Sequence, residues 1–303
     1  MKKIISLIII LCLISSVVFA GNGTKSALFL RMPTSAVIAG LAGAYTSQTN
    51  DINSIYANAA GLGFVENKQF TFMHNNYFQD LNYNYLAYSQ PIKALYGVFG
   101  LNVAMFDAGD FRKTLIATGV TYTDVGAFDA RDLEVGVSYG KKINNNFNFG
   151  AKLKYISSKI DDSKATAFAT DLGIIYDYEK LAKFGFTIKN LGTKLKYESE
   201  KESLPIEYRL GLSTDLELSK DVKLTPAADL VCPDKEDLSV NLGAELNYVN
   251  AMFIRFGYDS AIDIGNGISC GIGFKINNLS FDYAFTGYSS LGDAHRISLT
   301  LKY

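Results

Sequence analysis

The side chains that could carry out chemistry are few in this 303-residue sequence. Its two histidines, His74 and His295, each lie in or beside a segment in which polar and apolar residues alternate. Ser298 follows His295 by three residues, and on a strand that offset places the two side chains on opposite faces. A hydrolytic site needs a nucleophile beside a base that a third group orients, and no local pattern supplies one. The sequence therefore does not indicate an enzyme.

Metal and cofactor sites have equally little support. The acidic runs 161–162 and 234–237 lack the spacing of a calcium loop. No helix pattern follows the glycines of 265–273, so they do not form a phosphate-binding loop. Cys232 and Cys270 have no metal-ligand spacing, and the sequence leaves open whether they pair. We expect no cofactor and no metal.

The first twenty residues are predicted to be a cleaved signal peptide. Lys2 and Lys3 precede an apolar run that ends at Ala20, the expected cleavage site. Without these two lysines, 27 basic residues (29 minus 2) remain against 30 acidic ones. Because this balance gives no strong net charge, nucleic acid is not an expected partner. The sequence thus predicts an exported protein.

From residue 68 onward the sequence consists of short segments with a period of two, separated by turn-forming residues. In the last segment Ile297, Leu299, Leu301 and Tyr303 alternate with polar residues. In a barrel that spans a membrane, the apolar face meets lipid, the polar face lines the lumen, and closure satisfies the backbone. A soluble β-sandwich would also alternate, but so many fully apolar faces would expose too much hydrophobic surface.

We therefore predict an all-β fold, a transmembrane antiparallel β-barrel over residues 68–303 in the bacterial outer membrane. Fifteen candidate segments can be counted, whereas single-chain bacterial barrels have even strand numbers. If tight and long connections alternate strictly, segment 112–122 lies inside an outer loop. About fourteen membrane strands then remain.

Residues 21–67 do not alternate and carry the most distinctive local pattern of the chain. Small residues between positions 36 and 44 precede it, and small side chains permit close backbone packing. The motif consists of Asp51, Ser54, Asn58, Ala59, Ala60, Gly61 and Leu62.

This run resembles the N-terminal signature of the PorV/PorQ family, whose members are related to FadL-type fatty-acid transport barrels. Ala59 stands where that family usually has proline, which puts the local turn geometry in doubt. The resemblance extends to the strand after residue 68 and to the closing residues 291–298. It implies that residues 21–67 form a plug, or hatch, inside the barrel. Asp51 and Asn58 would either hold this segment by side-chain to backbone hydrogen bonds or contact a ligand or gate directly.

Charged residues on the predicted lumen face form the remaining candidate site. They could pair across strands, which with the N-terminal segment would fill the lumen and make the wall rigid. Alternatively, they could line a transport pathway and control which solutes pass through it. Since both signs occur together, the sequence favours pairing. The residues are Lys152, Lys154, Glu207, Arg209, Glu245, Arg255, Lys275, Asp282, Arg296 and Lys302.

Two functions from different classes follow from the resemblance. The first is FadL-like transport of small hydrophobic compounds across the outer membrane. The second is a PorV-like role as an outer-membrane component of a protein secretion or assembly machine. The expected partners are outer-membrane lipid, hydrophobic small molecules and secretion-machine proteins.

Overall fold

The computed structural model describes residues 25–77, 81–116, 122–179, 181–198, 200–262, 265–289 and 292–303. The predicted signal peptide, residues 1–20, lies outside the described residues. Within them, no helix is long and apolar enough to cross a membrane.

The described residues form seventeen strands, numbered β1–β17 in chain order. Their bounds are β1 Gln69–Asn76, β2 Asn82–Ile92, β3 Gly97–Ile116, β4 Tyr122–Lys142, β5 Phe147–Ile160, β6 Ser163–Tyr178, β7 Ala182–Gly192, β8 Leu195–Tyr197, β9 Glu200–Glu202, β10 Glu207–Ser213, β11 Leu216–Glu217, β12 Val222–Pro233, β13 Ser239–Tyr248, β14 Met252–Asp259, β15 Ile268–Ile276, β16 Leu279–Gly287 and β17 Asp293–Lys302.

Fourteen of these strands close into one antiparallel barrel, as the sequence predicts. β1 pairs with β17, and β10 pairs with both β7 and β12, so the ring has no break in its strand order. β8 and β9 form a separate two-stranded hairpin, and the two-residue β11 pairs only with the end of β12 among the described strands. Closure leaves the sheet without long free edges.

Side chains alternate between the two faces of the wall. On β1, Met73 is fully buried while Phe72 is 40% exposed. The outward face carries large apolar residues on strand after strand, including Leu153, Phe168 and Leu210. A surface of this kind is stable against lipid and not against water.

The two rims of the barrel differ. One carries tight turns at 249–251 and 277–278, where Asn250 and Asn277 adopt positive φ values of 53° and 52°. Asparagine tolerates this left-handed conformation, which suits hairpin turns of two or three residues. We call this the short-turn rim. The opposite, long-loop rim carries the connections 193–206 and 260–267.

The prediction that 112–122 is wholly a loop is wrong. Residues 112–116 belong to β3, and β3 and β4 stay paired from Val98↔Gly140 to Ile116↔Tyr122. The pairing of β2 with β3 stops at Asp107, so the outer part of this hairpin rises beyond its neighbour on that side. Residues 117–121 lie outside the described residues. The strand count is unaffected, because the outer part of the hairpin lengthens β3 and β4 and does not add another strand to the barrel.

The N-terminal segment, residues 25–67, packs inside this wall. Its short helices are rich in alanine and glycine, and most of its residues from 27 to 62 are buried. Ser35 caps the helix Ala36–Gly40 by accepting the N–H of Ile38 at 3.1 Å. The helical turns are Leu28–Arg31, Ala36–Gly40, Ser54–Ala57 and Ala59–Phe64, with one further turn, Lys93–Leu95, between β2 and β3.

Candidate functional site

Glycines on the inner wall allow the backbone of the N-terminal segment to touch the barrel. A Cβ atom added at Gly150 on β5 would lie 2.1 Å from both the carbonyl carbon of Ala59 and the amide nitrogen of Ala60. One added at Gly140 on β4, the register partner of Gly150, would lie 2.5 Å from the carbonyl oxygen of Ala59. Any side chain at these positions would displace the segment.

Other strands of the barrel also use glycine to let the segment approach. A Cβ atom at Gly185 on β7 would lie 2.3 Å from the carbonyl oxygen of Thr46. One at Gly257 on β14 would lie 2.4 Å from the amide nitrogen of Ala42. The sequence analysis did not single out these glycines as contact positions. Their recurrence at inward positions was the signal that could have indicated a contact surface.

Asn58 of the predicted motif links the segment to the wall. Its Nδ2 donates to the carbonyl oxygens of Thr46 at 3.0 Å and of Ile174 at 3.1 Å. Its Oδ1 accepts the N–H of Ala60 at 3.1 Å. These are the side-chain to backbone bonds by which asparagine fixes a turn.

The other motif residues divide into a buried set and an accessible one. Ser54 and Leu62 are fully buried, and a Cβ atom at Gly61 would lie 2.4 Å from the Oγ of Ser54. Asp51 is partly exposed, and it accepts hydrogen bonds from the Tyr45 hydroxyl and, at 3.0 Å, from the N–H of Asn53. Asp51 is thus the motif residue with a carboxylate near solvent, while direct ligand contact there stays a prediction.

Several of the predicted lumen charges form ion pairs inside the barrel. Lys152 lies 2.6 Å from Glu134, and Lys154 lies 2.6 Å from Asp171. All four side chains are at least nine-tenths buried. Sequence reasoning missed both acidic partners, although each lies at an inward position of its strand. Buried charges need such partners, because an unpaired one carries a large desolvation cost.

The remaining predicted charges occupy other parts of the interior. Arg255 lies 2.6 Å from Glu245 and 2.7 Å from Asp282, and Arg209 pairs with Glu207. Lys275 and Lys302 line a cavity near the short-turn rim. Arg296 is buried beside tyrosines at the opposite end.

Asp229 on β12 is a further residue of the candidate site, and sequence reasoning missed it. Its Oδ2 accepts the N–H of Tyr45 at 3.1 Å, and the N–H and hydroxyl of Thr46 at 3.0 and 2.6 Å. The side chain is fully buried, and the guanidinium of Arg209 lies 3.7 Å away. A single wall carboxylate therefore holds the middle of the N-terminal segment.

Two cavities lie on either side of the N-terminal segment. The outer cavity, of about 220 Å³, opens below the long-loop rim, and Ile38, Ala39 and Ala42 line its floor. The inner cavity, of about 880 Å³, lies toward the short-turn rim and is lined by charged residues of both signs. Val37 and Tyr45 line the inner cavity. One helical turn and the residues after it thus separate the two spaces.

The histidines lie on the outward face. His74 Nδ1 is 2.8 Å from the side-chain oxygen of Asn84, and His295 Nδ1 is 2.7 Å from the Tyr283 hydroxyl. Ser298 faces inward and accepts the N–H of Ala36 at 2.8 Å. Cys232 and Cys270 are free thiols.

A closed fourteen-stranded barrel with an apolar outer face and a polar, filled interior defines an outer-membrane β-barrel protein. The family model for the type IX secretion system membrane protein PorP/SprF matches residues 99–301, about two thirds of the chain. The chain belongs to the PorP/SprF family.

The assignment to the PorV/PorQ family is therefore wrong. The residues that suggested it lie mostly between 40 and 62, before the matched region. Small residues in that run are explained by close contact with wall glycines. Any barrel whose interior is filled by a chain segment has this packing requirement, so the pattern does not distinguish one family from another.

Solved structures with the same fold include transport proteins. The Pseudomonas putida toluene transporter TodX has a TM-score of 0.62 at 11% identity, over 88% of this chain and 96% of that chain. The Ralstonia pickettii toluene transporter TbuX has a TM-score of 0.62 at 11% identity, over 89% and 97%. The CymD monoaromatic hydrocarbon channel has a TM-score of 0.61 at 13% identity, over 89% and 97%. These likenesses establish the fold. Among curated proteins, none matches the sequence.

Proposed function

We propose that this protein passes small hydrophobic compounds across the outer membrane, with residues 25–67 acting as a plug that must shift to allow passage. The observation that carries the proposal is the outer cavity, because it lies on the long-loop side of the plug and has room for a small molecule. Pockets of this kind bind ligands through apolar and aromatic walls with a few polar groups. The apolar and aromatic residues of the cavity include Met32, Ile38, Tyr56, Tyr77, Ile262 and Tyr288.

The part of the plug that would move is the helix Ala36–Gly40, since it divides the outer cavity from the inner one. It contacts the wall through small side chains, and Ala36 and Ala39 pack with Ala284 of β16. Small side chains bury little apolar area, so separating them from the wall costs less than separating a leucine-rich helix. The helix is further held by the hydrogen bond from the N–H of Ala36 to Ser298.

A disulfide across this contact tests the proposal. Ala39 and Ala284 are changed to cysteine in a chain whose Cys232 and Cys270 are serine, and uptake of radiolabelled toluene into proteoliposomes is measured. We expect the oxidised protein to be closed to toluene and the reduced protein to regain uptake.

The Ala284→Cys single variant in the same background is the matched control, because it carries the thiol without the bridge. Uptake that is equal in the oxidised and reduced double variant, once the bridge is verified by mass spectrometry, would contradict a moving plug. Uptake no faster than that of protein-free liposomes in all proteins would contradict transport itself.

Family membership favours a second candidate function, a membrane component of a type IX secretion system. The deletion strain is expected to lose a set of extracellular proteins that the parent strain releases, and the wild-type gene should restore them. An unchanged extracellular proteome would rule out this candidate. Restoration by the oxidised Ala39→Cys, Ala284→Cys protein would show that secretion does not need the plug to move.

A further inference from the structure

Arg296 on β17 is a buried cation without a carboxylate partner among the described residues. Its side chain is 1% exposed, and no described carboxylate oxygen lies within ion-pair distance. The guanidinium donates to the hydroxyls of Thr286, at 3.1 Å, and of Tyr77, whose ring centroid lies 5.0 Å away. The Nε–H of Arg296 has no acceptor in the described protein.

The other buried or half-buried arginines near the lumen are paired. Arg31 donates to both carboxylate oxygens of Glu236, at 2.7 and 3.0 Å. Arg209 pairs with Glu207, and Arg255 pairs with two acids on neighbouring strands. A buried guanidinium without an anion is costly, and among the described arginines of the lumen Arg296 is the one without an ion pair.

Arg296 also lines the outer cavity, together with Tyr77 and Tyr288. Asp259 is the only carboxylate among the described residues of that lining, and its Oδ1 accepts the N–H of Ala261 at 2.9 Å. Within the described residues, the cavity is therefore lined by a guanidinium whose hydrogen-bond partners are neutral hydroxyls and whose neighbours are aromatic rings. A carboxylate can accept two hydrogen bonds from a guanidinium, and this geometry is the strongest that arginine makes.

We infer that the outer cavity binds a small carboxylic acid with an apolar or aromatic body, its carboxylate on Arg296 and its body against Tyr77 and Tyr288. This inference rests on the proposed function, since it names the chemical class that the cavity would admit. It adds that an anionic compound is preferred over a neutral one of the same shape.

The experiment compares 3-phenylpropanoate with 3-phenylpropan-1-ol, which share a ring and chain and differ in the charged group. Binding of each to the full chain in detergent is measured by isothermal titration calorimetry. We expect the wild type to bind the acid more tightly than the alcohol. Arg296→Gln should weaken acid binding by about 10- to 100-fold, the value of a hydrogen bond to a charged group, and leave alcohol binding unchanged.

Arg112→Gln is the matched control, because its side chain is 79% exposed and lies outside the cavity. Arg296→Lys should recover part of the acid affinity, since it keeps the charge and loses the two-pronged geometry. Equal binding of acid and alcohol by the wild type would overturn the inference without any variant. Acid binding that is the same in Arg296→Gln would also overturn it.

Two further variants examine the acidic residues nearest in sequence to Tyr77 and Ile262. Asp80→Asn and Asp263→Asn should leave acid affinity unchanged. A tenfold gain in either variant would show that the chain neutralises Arg296 itself, and the inference would fail. Toluene uptake separates the two proposals: acid binding without uptake contradicts transport alone, and uptake without acid binding contradicts this inference alone.

Discussion

Asp229 Oδ2 accepts two hydrogen bonds from Thr46, one from its backbone N–H at 3.0 Å and one from its hydroxyl at 2.6 Å. Asp229 lies on the wall and Thr46 on the N-terminal segment, 183 residues apart in sequence. The pair fixes the middle of the N-terminal segment against the wall. Several expected outcomes depend on contacts of this kind.

Removing the Asp229 carboxylate should loosen the plug locally. Asp229→Ala leaves the buried N–H groups of Tyr45 and Thr46 without their acceptor, and the free energy of local opening should fall by about 2 to 3 kcal/mol. Hydrogen exchange of these two amides measures the effect. Asp110→Ala, at an exposed position of the β3–β4 hairpin, should leave their exchange unchanged. Equal protection in both variants would show that Asp229 does not hold the plug.

A side chain at Gly150 should push the plug away from the wall. Gly150→Ala places a Cβ atom 2.1 Å from the backbone of Ala59 and Ala60, and overpacking of this kind costs about 1 to 3 kcal/mol. The temperature at which the barrel unfolds on a gel-shift assay should drop. Gly287→Ala is the comparison, because its nearest atom would be 3.6 Å away. A Gly150→Ala protein as stable as the comparison would refute tight contact at this position.

The buried pair Lys152–Glu134 should show strong coupling. Asn102 also donates to Glu134 at 2.8 Å, so Lys152→Met removes the ion pair and leaves the buried carboxylate with a hydrogen bond from a neutral group. We expect the single variant to lose about 3 to 5 kcal/mol of unfolding free energy, and the double variant Lys152→Met, Glu134→Gln to lose much less. A double-mutant cycle of thermal unfolding measures the coupling. Additive losses would mean that the two charges act independently.

Acid should release the outer end of the plug. The hydrogen bond from Lys25, at 2.8 Å, lowers the pKa of Asp234 below its ordinary value. Because its pKa is lower in the folded state, ionised Asp234 stabilises that state at pH values above the ordinary aspartate range. This contribution is lost as the pH falls through the folded-state pKa.

The protection of residues 25–31 against hydrogen exchange, measured relative to the intrinsic rate at each pH, should therefore fall below about pH 4, the ordinary aspartate range. Asp234→Asn should show the faster exchange already at neutral pH and lose this pH dependence. An Asp234→Asn protein that kept the wild-type pH profile would exclude Asp234 as the titrating group. The nearby Arg31–Glu236 pair, at 2.7 Å, is left intact in this comparison.

The small residues around Gly40 and the Asn58 motif indicated a segment that packs closely, but they suggested the wrong family. Asn58 donates to a carbonyl oxygen on β6, 116 residues further along the chain. No local pattern reveals a partner at that separation, so the role of Asn58 depended on the closed barrel.

For the lumen charges as well, the sequence gives the position on the strand but not the partner. Lys152 and Arg296 both stand at polar positions of alternating strands, and nothing in their neighbouring sequence separates them. The structure gives Lys152 a carboxylate and places Arg296 beside tyrosines of two loops. Their difference arises because barrel closure and the loops decide which side chains meet.

The sequence by itself determined that the chain forms an antiparallel barrel of about fourteen strands, because a period of two is a property of each strand alone. It also indicated that residues 21–67 are not part of the barrel wall. Only the tertiary structure decided that β3 and β4 extend beyond their neighbours, that wall glycines such as Gly150 receive the plug, and that Asp229 holds it. These features depend on distances between residues far apart in sequence, and such distances are set only when the barrel closes around its contents.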